Sequence, residues 1–489
     1  MPFEDGCGRH RRVEPAVFYS AQKHGILPIT SVCNVRCVFC SHRQNPPGVE
    51  TFAFPHRPQE EVKRSLDWLG RPEKVVIGES VTRIIEGEPF THPRIMDILA
   101  MVRRRLPDTL IEITTNGSLL DQNLIRSLKD LAPVEVNLSL NSSSPLGRQE
   151  LMRDSAPEKA LEAAADLGRS GIVFHGSIVA MPMITGWDDL RRTILFLDGS
   201  GARTIRVFLP GYTQLAPPEL RFDPAMWDEL LSFVEDVVPA VSAPVTLEPP
   251  KLGDLDAVVE GVIPGSPAHR AGLSRGDVIT AVNGRAPFSR VDAFRAVRST
   301  ANPDVMFLRG RDPHLTLPQG REPSRATLRK GAGESSGLVL SFDVDPDEVR
   351  EADRLIRRRR ARRPMVLTSK LARAVVDLAL RRALPDGPTG MNPEVAPAPG
   401  QSTADALEVA VHEVPNRFFG GSVMAAGLLV VEDFLAEARE VFSSEAFCPD
   451  SRPDLVLIPS RPFDERGRDL VGRSYLDLEE EWGIAVELV

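Results

Sequence analysis

Five short runs rich in β-branched residues recur between residues 74 and 209, separated by longer amphipathic stretches. The runs are KVVIG (74–78), TLIEITTNG (109–117), VEVNLSL (134–140), IVFHGSIVAM (172–181) and TIRVFL (204–209). Between them, PRIMDILAMVRRRL (93–106) and APEKALEAAADLGRSG (156–171) place apolar residues at helical spacing. Neighbouring parallel strands need a crossover, usually a helix, so the rhythm predicts βαβ units around a parallel sheet or barrel. Counting the segment that follows the cysteines, residues 24–240 have room for about six units.

The 489 residues leave space for further domains. PAVSAPVTLEPPKLG (239–253) reads as a linker, and residues 253–342 carry several short strands and few helical signals. LRKGAGESSG reads as a second junction. From Pro364 the alternation resumes with MVLTSKLARAVVDLALRRAL, ALEVAVHEV, GLLVVEDFLAEAREVF, DLVLIP and AVELV, interrupted by a proline-laden loop at 385–401. The expected division is therefore 1–240, 250–342 and 343–489, an α/β chain with a small mainly-β module in its middle.

A net charge of −9 gives nucleic acid no electrostatic reason to bind. No apolar run reaches the ~18–20 residues of a membrane span, and the N-terminus MPFEDGCGRHRR lacks a secretory apolar stretch. A cytoplasmic protein is expected. Three of the five cysteines crowd into Cys33-Asn34-Val35-Arg36-Cys37-Val38-Phe39-Cys40. Such crowding suits a metal rather than disulfides. One short loop can wrap one face of a [4Fe–4S] cube, and three thiolates leave one iron open. A Cys₃His zinc site completed by His42 is the alternative. Cys7 and Cys448 stand alone and read as ordinary thiols.

The triplet and its aromatic Phe39 resemble the CxxxCxxC signature of the radical S-adenosylmethionine (SAM) superfamily. That resemblance implies a partial (β/α)₆ TIM-like barrel whose Cys33, Cys37 and Cys40 hold the cluster while SAM chelates its open iron. Further marks follow in the family's order. Glu86-Gly87-Glu88-Pro89 looks like the GGEP element that receives the SAM amino group, with Glu86 departing from its first glycine. Asn116, in Thr115-Asn116-Gly117, matches the TNG turn. Ser139 stands where a polar residue contacts the SAM carboxylate or ribose. Ile178, in Gly176-Ser177-Ile178, matches the element that packs on adenine. The resemblance implies reductive SAM cleavage, hydrogen abstraction by a 5′-deoxyadenosyl radical, and an electron donor such as flavodoxin or ferredoxin.

Residues 253–300 resemble a PDZ domain: Gly272 and Gly276 suit tight turns, and Asn283-Gly284 is a hairpin signal. PDZ domains take extended peptides by adding a strand to a sheet edge. The carboxylate-binding loop should precede VVEGV, where KLGDLDA is a poor example, so a docking module that binds no foreign peptide is an equal reading. NRFFGGSV (416–423) could offer backbone N–H groups to an anion or be a tight turn shielding Phe418 and Phe419.

This phrase, with DLVLIPS and LVGRSYLDLEEEWGIAVELV, resembles the C-terminal domain of uncharacterised proteins that combine PDZ, radical SAM and that domain. Those relatives place PDZ first and read CIFCFIDQ where this chain reads CVFCSHRQ. The basic run Arg357–Arg363 reads as a solvated helix end or as a contact for an anionic substrate or RNA. The leading expectation is thus a radical SAM enzyme acting on a peptide, protein or small metabolite. The rival is a PDZ-type adaptor with a structural metal. No residue is singled out as partner to the substrate radical, beyond Cys448 as a spare thiol.

Overall fold

The computed structural model describes residues 7–80, 83–310, 323–384, 407, 409–443 and 452–489, with side chains from residue 13 onward. Cys448, the Cys7 side chain and the loop at 385–401 lie outside the described residues. The chain forms two compact units, Met1–Glu248 and Pro249–Val489.

In the first unit six strands lie side by side in sequence order. They are β1 (Lys74–Ile77), β2 (Leu110–Thr115), β3 (Val134–Ser139), β4 (Val173–Val179), β5 (Ile205–Phe208) and β6 (Val245–Glu248), and all pair in parallel. Each crossover steps one strand the same way, and right-handed crossovers of that kind put the helices on one face. The residue pattern agrees. Ile111 and Ile113, Val136 and Leu138, Phe174 and Ile178, and Ile205 and Val207 alternate inward to the helix layer and are buried. A Cβ on Gly176 would meet Leu197 of the helix Trp187–Gly199, which fixes that face. The opposite face carries half-buried polar residues such as Glu135, Ser139, His175 and Ser177.

One expectation is corrected. The stretch 239–253 is not a linker throughout, because its VTLE is β6, bonded to β5. Prolines on both sides disguised it: Pro244 supplies the carbonyl that accepts from Ile205 N–H, and Pro249 and Pro250 end the edge strand. The sheet therefore extends past residue 240.

The second unit begins with β7 (Ala257–Val258), β8 (Gly261–Val262), β9 (Val278–Val282), β10 (Asp304–Leu308), β11 (Ser324–Thr327) and β12 (Leu338–Val339). Four form an antiparallel sheet, ordered β11-β10-β9-β7, and β12 pairs antiparallel with β8. Asn283 and Gly284 both take positive φ, 51° and 78°, as the hairpin signal required. The GAGESSG segment is not a junction: Gly333 N–H and the Lys330 ammonium both donate to Arg298 C=O at the end of the helix Arg290–Ser299.

The strands β13 (Pro364–Ser369), β14 (Ala410–Val414), β15 (Leu455–Ile458) and β16 (Ala485–Leu488) then form a parallel sheet ordered β14-β13-β15-β16. GLLVV (427–431) leads through a 3-10 turn, Ala426–Leu428, into the helix Val431–Ser443. Leu255 and Phe288 share a core with Val344, Val349, Leu355 and Leu457, so the small module and the parallel sheet are one packed body. The basic run is held on this body. Arg358 and Arg359 pair with Glu487 at 2.8 and 2.7 Å, and the Asp454 carboxylate accepts from Arg362 and Arg363 N–H.

Candidate active site

Parallel strands end on one rim, and the cysteine loop is held there almost wholly by main-chain bonds. Gly87 N–H donates to Thr30 C=O at 2.7 Å and Glu88 N–H to Val32 C=O at 2.9 Å. On the loop's other side Arg36 N–H donates to Met152 C=O at 2.7 Å and Val38 N–H to Leu151 C=O at 2.8 Å. These are terminal carbonyls that the helix Pro145–Met152 cannot satisfy within itself. Phe39, with Cys37 and Val38, packs on an apolar cluster of Val35, Leu151, Met152, Met181, Ala216 and Leu220.

Cys33, Cys37 and Cys40 are free thiols. Burial pushes Cys37 up to about 12, with Cys33 and Cys40 adding to the rise and Arg148 opposing it. Burial also raises Cys33 and Cys40. Cys37 therefore senses the charge of both other thiols across one loop. Among the described residues no three or more His, Cys, Asp or Glu side chains converge on a point fit for a single metal ion. His42 shares a 3.0 Å hydrogen bond with Ser80 through Nε2. Thiolates spread around one loop fit a polymetallic cluster better than the closed tetrahedron of structural zinc.

Glu88 ties this loop to the next strand end. Its carboxylate accepts from Thr115 Oγ1 and Asn116 N–H, both at 2.7 Å, and from Phe90 N–H at 3.2 Å. Burial pushes the Glu88 carboxyl up to about 7, against those bonds and the charge of Arg148. Asn116 Nδ2 donates to Asn34 Oδ1 at 2.8 Å, inside the cysteine loop, and Asn116 Oδ1 accepts from Ser118 N–H. Ser139 ends β3 half-buried and in register with Ser177. Ile178 shares the helix-facing side of β4 with Gly176, and its side chain is fully buried. Val179, the next residue, joins the apolar cluster around the cysteine loop.

Residues 27–197 match the family model of the Radical SAM superfamily, and residues 258–309 match that of the PDZ domain. The chain carries a radical SAM domain followed by a PDZ domain. The superfamily's cofactors are a [4Fe–4S] cluster and SAM, and the free thiols and the Glu88 cradle of this radical SAM domain fit them. The chain is 30% identical over 122 residues to GTP 3′,8-cyclase of Yersinia pestis, covering 24% of this chain and 34% of that protein. It is also 30% identical over 133 residues to the FeMo cofactor biosynthesis protein NifB of Chlorobaculum tepidum, covering 26% and 30%. The chain thus spans about a third of the length of these curated relatives. Among solved structures, Streptococcus suis SuiB bound to S-adenosylmethionine is similar at a TM-score of 0.35 and 17% identity, over 50% of this chain and 57% of that one. No helix of the described residues is long and apolar enough to cross a membrane.

The structure adds residues that motif reading passed over. Asn141, at φ 62°, accepts from Val179 N–H through Oδ1 at 2.8 Å and so ties the ends of β3 and β4. Arg148 and Asp154 form a fully buried ion pair beneath the loop. The one sequence signal for Arg148 is its spacing, three and four residues before Leu151 and Met152, which sets it on that helix's buried face. Away from this rim, Asp433 Oδ1 accepts from Arg417 and Phe418 N–H at 2.9 Å each. Those amides of the NRFFGGSV loop are taken by the protein itself, and Phe419 is buried. The tight-turn reading holds there.

Proposed function

We propose that this chain is a radical SAM enzyme that acts on a peptide or protein. Cys33, Cys37 and Cys40 would hold the [4Fe–4S] cluster, with Gly87, Glu88, Asn116 and Ser139 around SAM and Phe39 walling the pair from below. When bound, cluster and SAM supply a 5′-deoxyadenosyl radical that takes a hydrogen atom from the substrate. The chain's own part is to bind and orient. Glu88 offers a buried carboxylate to the SAM ammonium, and such an opposite charge favours its ionised form. Asn116 holds the cysteine loop through Asn34, and the apolar wall of Phe39, Val179 and Met181 keeps water from that side.

One observation carries this reading: a single residue, Glu88, joins the thiol-bearing loop, through its own N–H to Val32, to the end of β2, through two hydrogen bonds of its carboxylate. A reduced flavodoxin or ferredoxin would supply the electron, in the cytoplasm. Anaerobic reconstitution tests the proposal. Uptake of about four irons and release of 5′-deoxyadenosine from SAM are expected, both lost in Cys37→Ala. Zinc uptake with SAM left intact would favour the adaptor instead.

The peptide reading rests on the second unit. Gly337 and Val339 turn their carbonyls toward β8, accepting from Ile263 and Glu260 N–H, so Leu338 between them turns its own outward. Among the described residues no strand pairs with that outer edge. Both ends of this segment are tied to the helix Arg290–Ser299, by Gly333 at one end and Asp343 at the other. An edge strand beside a helix is the arrangement that an added peptide strand would use. The Gly- and Ser-rich turn 331–337 leads into this edge strand, where a carboxylate-binding loop would be wanted.

A further inference from the structure

The chemistry proposed above leaves one fully buried charge unused. Arg148 is 0% exposed, and its guanidinium is spent on groups of the cofactor rim. Nε and Nη2 donate to Asp154 Oδ2 at 3.0 and 2.7 Å, Nη1 to Leu140 C=O at 2.6 Å, and Nη2 to Asn116 C=O at 3.0 Å. Asn116 is the residue whose N–H meets Glu88 and whose amide meets Asn34 in the cysteine loop. Three and four residues along the same helix, Leu151 and Met152 supply the carbonyls that hold that loop. The cation thus bonds the residue that meets both Glu88 and the cysteine loop, from the helix whose end holds that loop. A pair placed only for stability has no need of that address, since apolar residues of the same volume often serve as well.

We infer that Arg148 is a positioning residue that raises the reduction potential of the cluster held by Cys33, Cys37 and Cys40, with Asp154 as its counter-charge. The inference rests on the radical SAM reading above. Reduction moves one electron from an external reductant onto the cluster; no bond forms or breaks, and the cluster gains one negative charge. A buried cation stabilises that added charge more than it would in water. Asp154 offsets part of the effect, so the two residues act with opposite sign.

The test is a dithionite redox titration followed by electron paramagnetic resonance, on reconstituted wild-type, Arg148→Lys, Arg148→Met and Asp154→Asn proteins. Arg148→Met is expected to disfavour reduction about tenfold, a fall of about 59 mV for one electron. Asp154→Asn is expected to shift the potential upward, and Arg148→Lys to stay near wild type. Clusters of lower occupancy but unchanged potential in every variant would mean a structural prop and overturn the inference. Should Arg148→Met fail to fold, Asp154→Asn still decides by the direction of its shift, and no shift there overturns the inference. Failure of the wild type to assemble any cluster sinks the radical SAM reading itself, a result distinct from assembled clusters with unmoved potentials.

Discussion

A Cβ on Gly87 would stand 2.1 Å from the carbonyl oxygen of Val32. The turn that carries Glu88 and the loop that carries the thiols touch backbone to backbone, with no room between for a side chain. Gly87→Ala is expected to cost the apo-protein about 1–3 kcal/mol in urea unfolding and to abolish iron uptake. Gly199, a helical glycine with nothing within 4 Å of the place a methyl group would take, is the control. Gly199→Ala is expected to stabilise by up to about 1 kcal/mol. Equal effects at the two sites would refute the close-approach argument.

Glu86 stands where the superfamily's motif has glycine, and both its carboxyl oxygens are buried without a hydrogen-bond partner among the described residues. Burial raises it well above the usual 4.5; Arg57 and the nearby main chain of Ile29, Gly78 and Thr30 only partly offset this. The folded state holds a proton that the unfolded chain releases near pH 4.5, so this contribution to stability is full below that pH and lost as pH rises. Glu86→Gln should be more stable than wild type at pH 8, with the gap closing toward pH 5. Parallel stability curves across about pH 5–8 would count against it.

Asp343 caps the helix Arg290–Ser299, accepting from Arg290 N–H at 2.8 Å and Val291 N–H at 3.2 Å, with the Arg290 guanidinium 3.5 Å away. Asp343→Ala removes the cap and half-orphans a buried cation, at a cost of about 3 kcal/mol. Hydrogen exchange should show protection falling throughout Pro249–Val489, because module and parallel sheet share a core, while Met1–Glu248 is unaffected. Loss confined to the small module would disprove the shared core.

Leu340 follows β12 directly, outside the paired residues of the β8–β12 ladder, so Leu340→Pro removes a main-chain donor beside that edge. Edge strands tolerate such a proline. Screened against a peptide array by fluorescence polarisation, the variant should stay folded and lose at least tenfold in affinity for whatever the wild type binds. Unchanged binding would place the peptide elsewhere.

The parallel strands were legible because β-branched runs and helical spacing repeat, and the thiols because three crowd one loop. The motif gives Ile178 its position along the strand, whereas its face follows from register with neighbours. β6 was hidden by its flanking prolines, and β12 by glycines and serines that resemble a linker until the strand pairs with β8. Arg148 left almost no trace, since a lone arginine in a short helix announces neither its burial nor its partners.

The cysteine loop is suspended from the amides of Gly87 and Glu88 and the carbonyls of Leu151 and Met152 by bonds that involve no thiol. Its shape is therefore inherited from protein alone. A molecule stripped of iron by oxygen would keep a formed socket, and repair could proceed by refilling it in place rather than by refolding the enzyme.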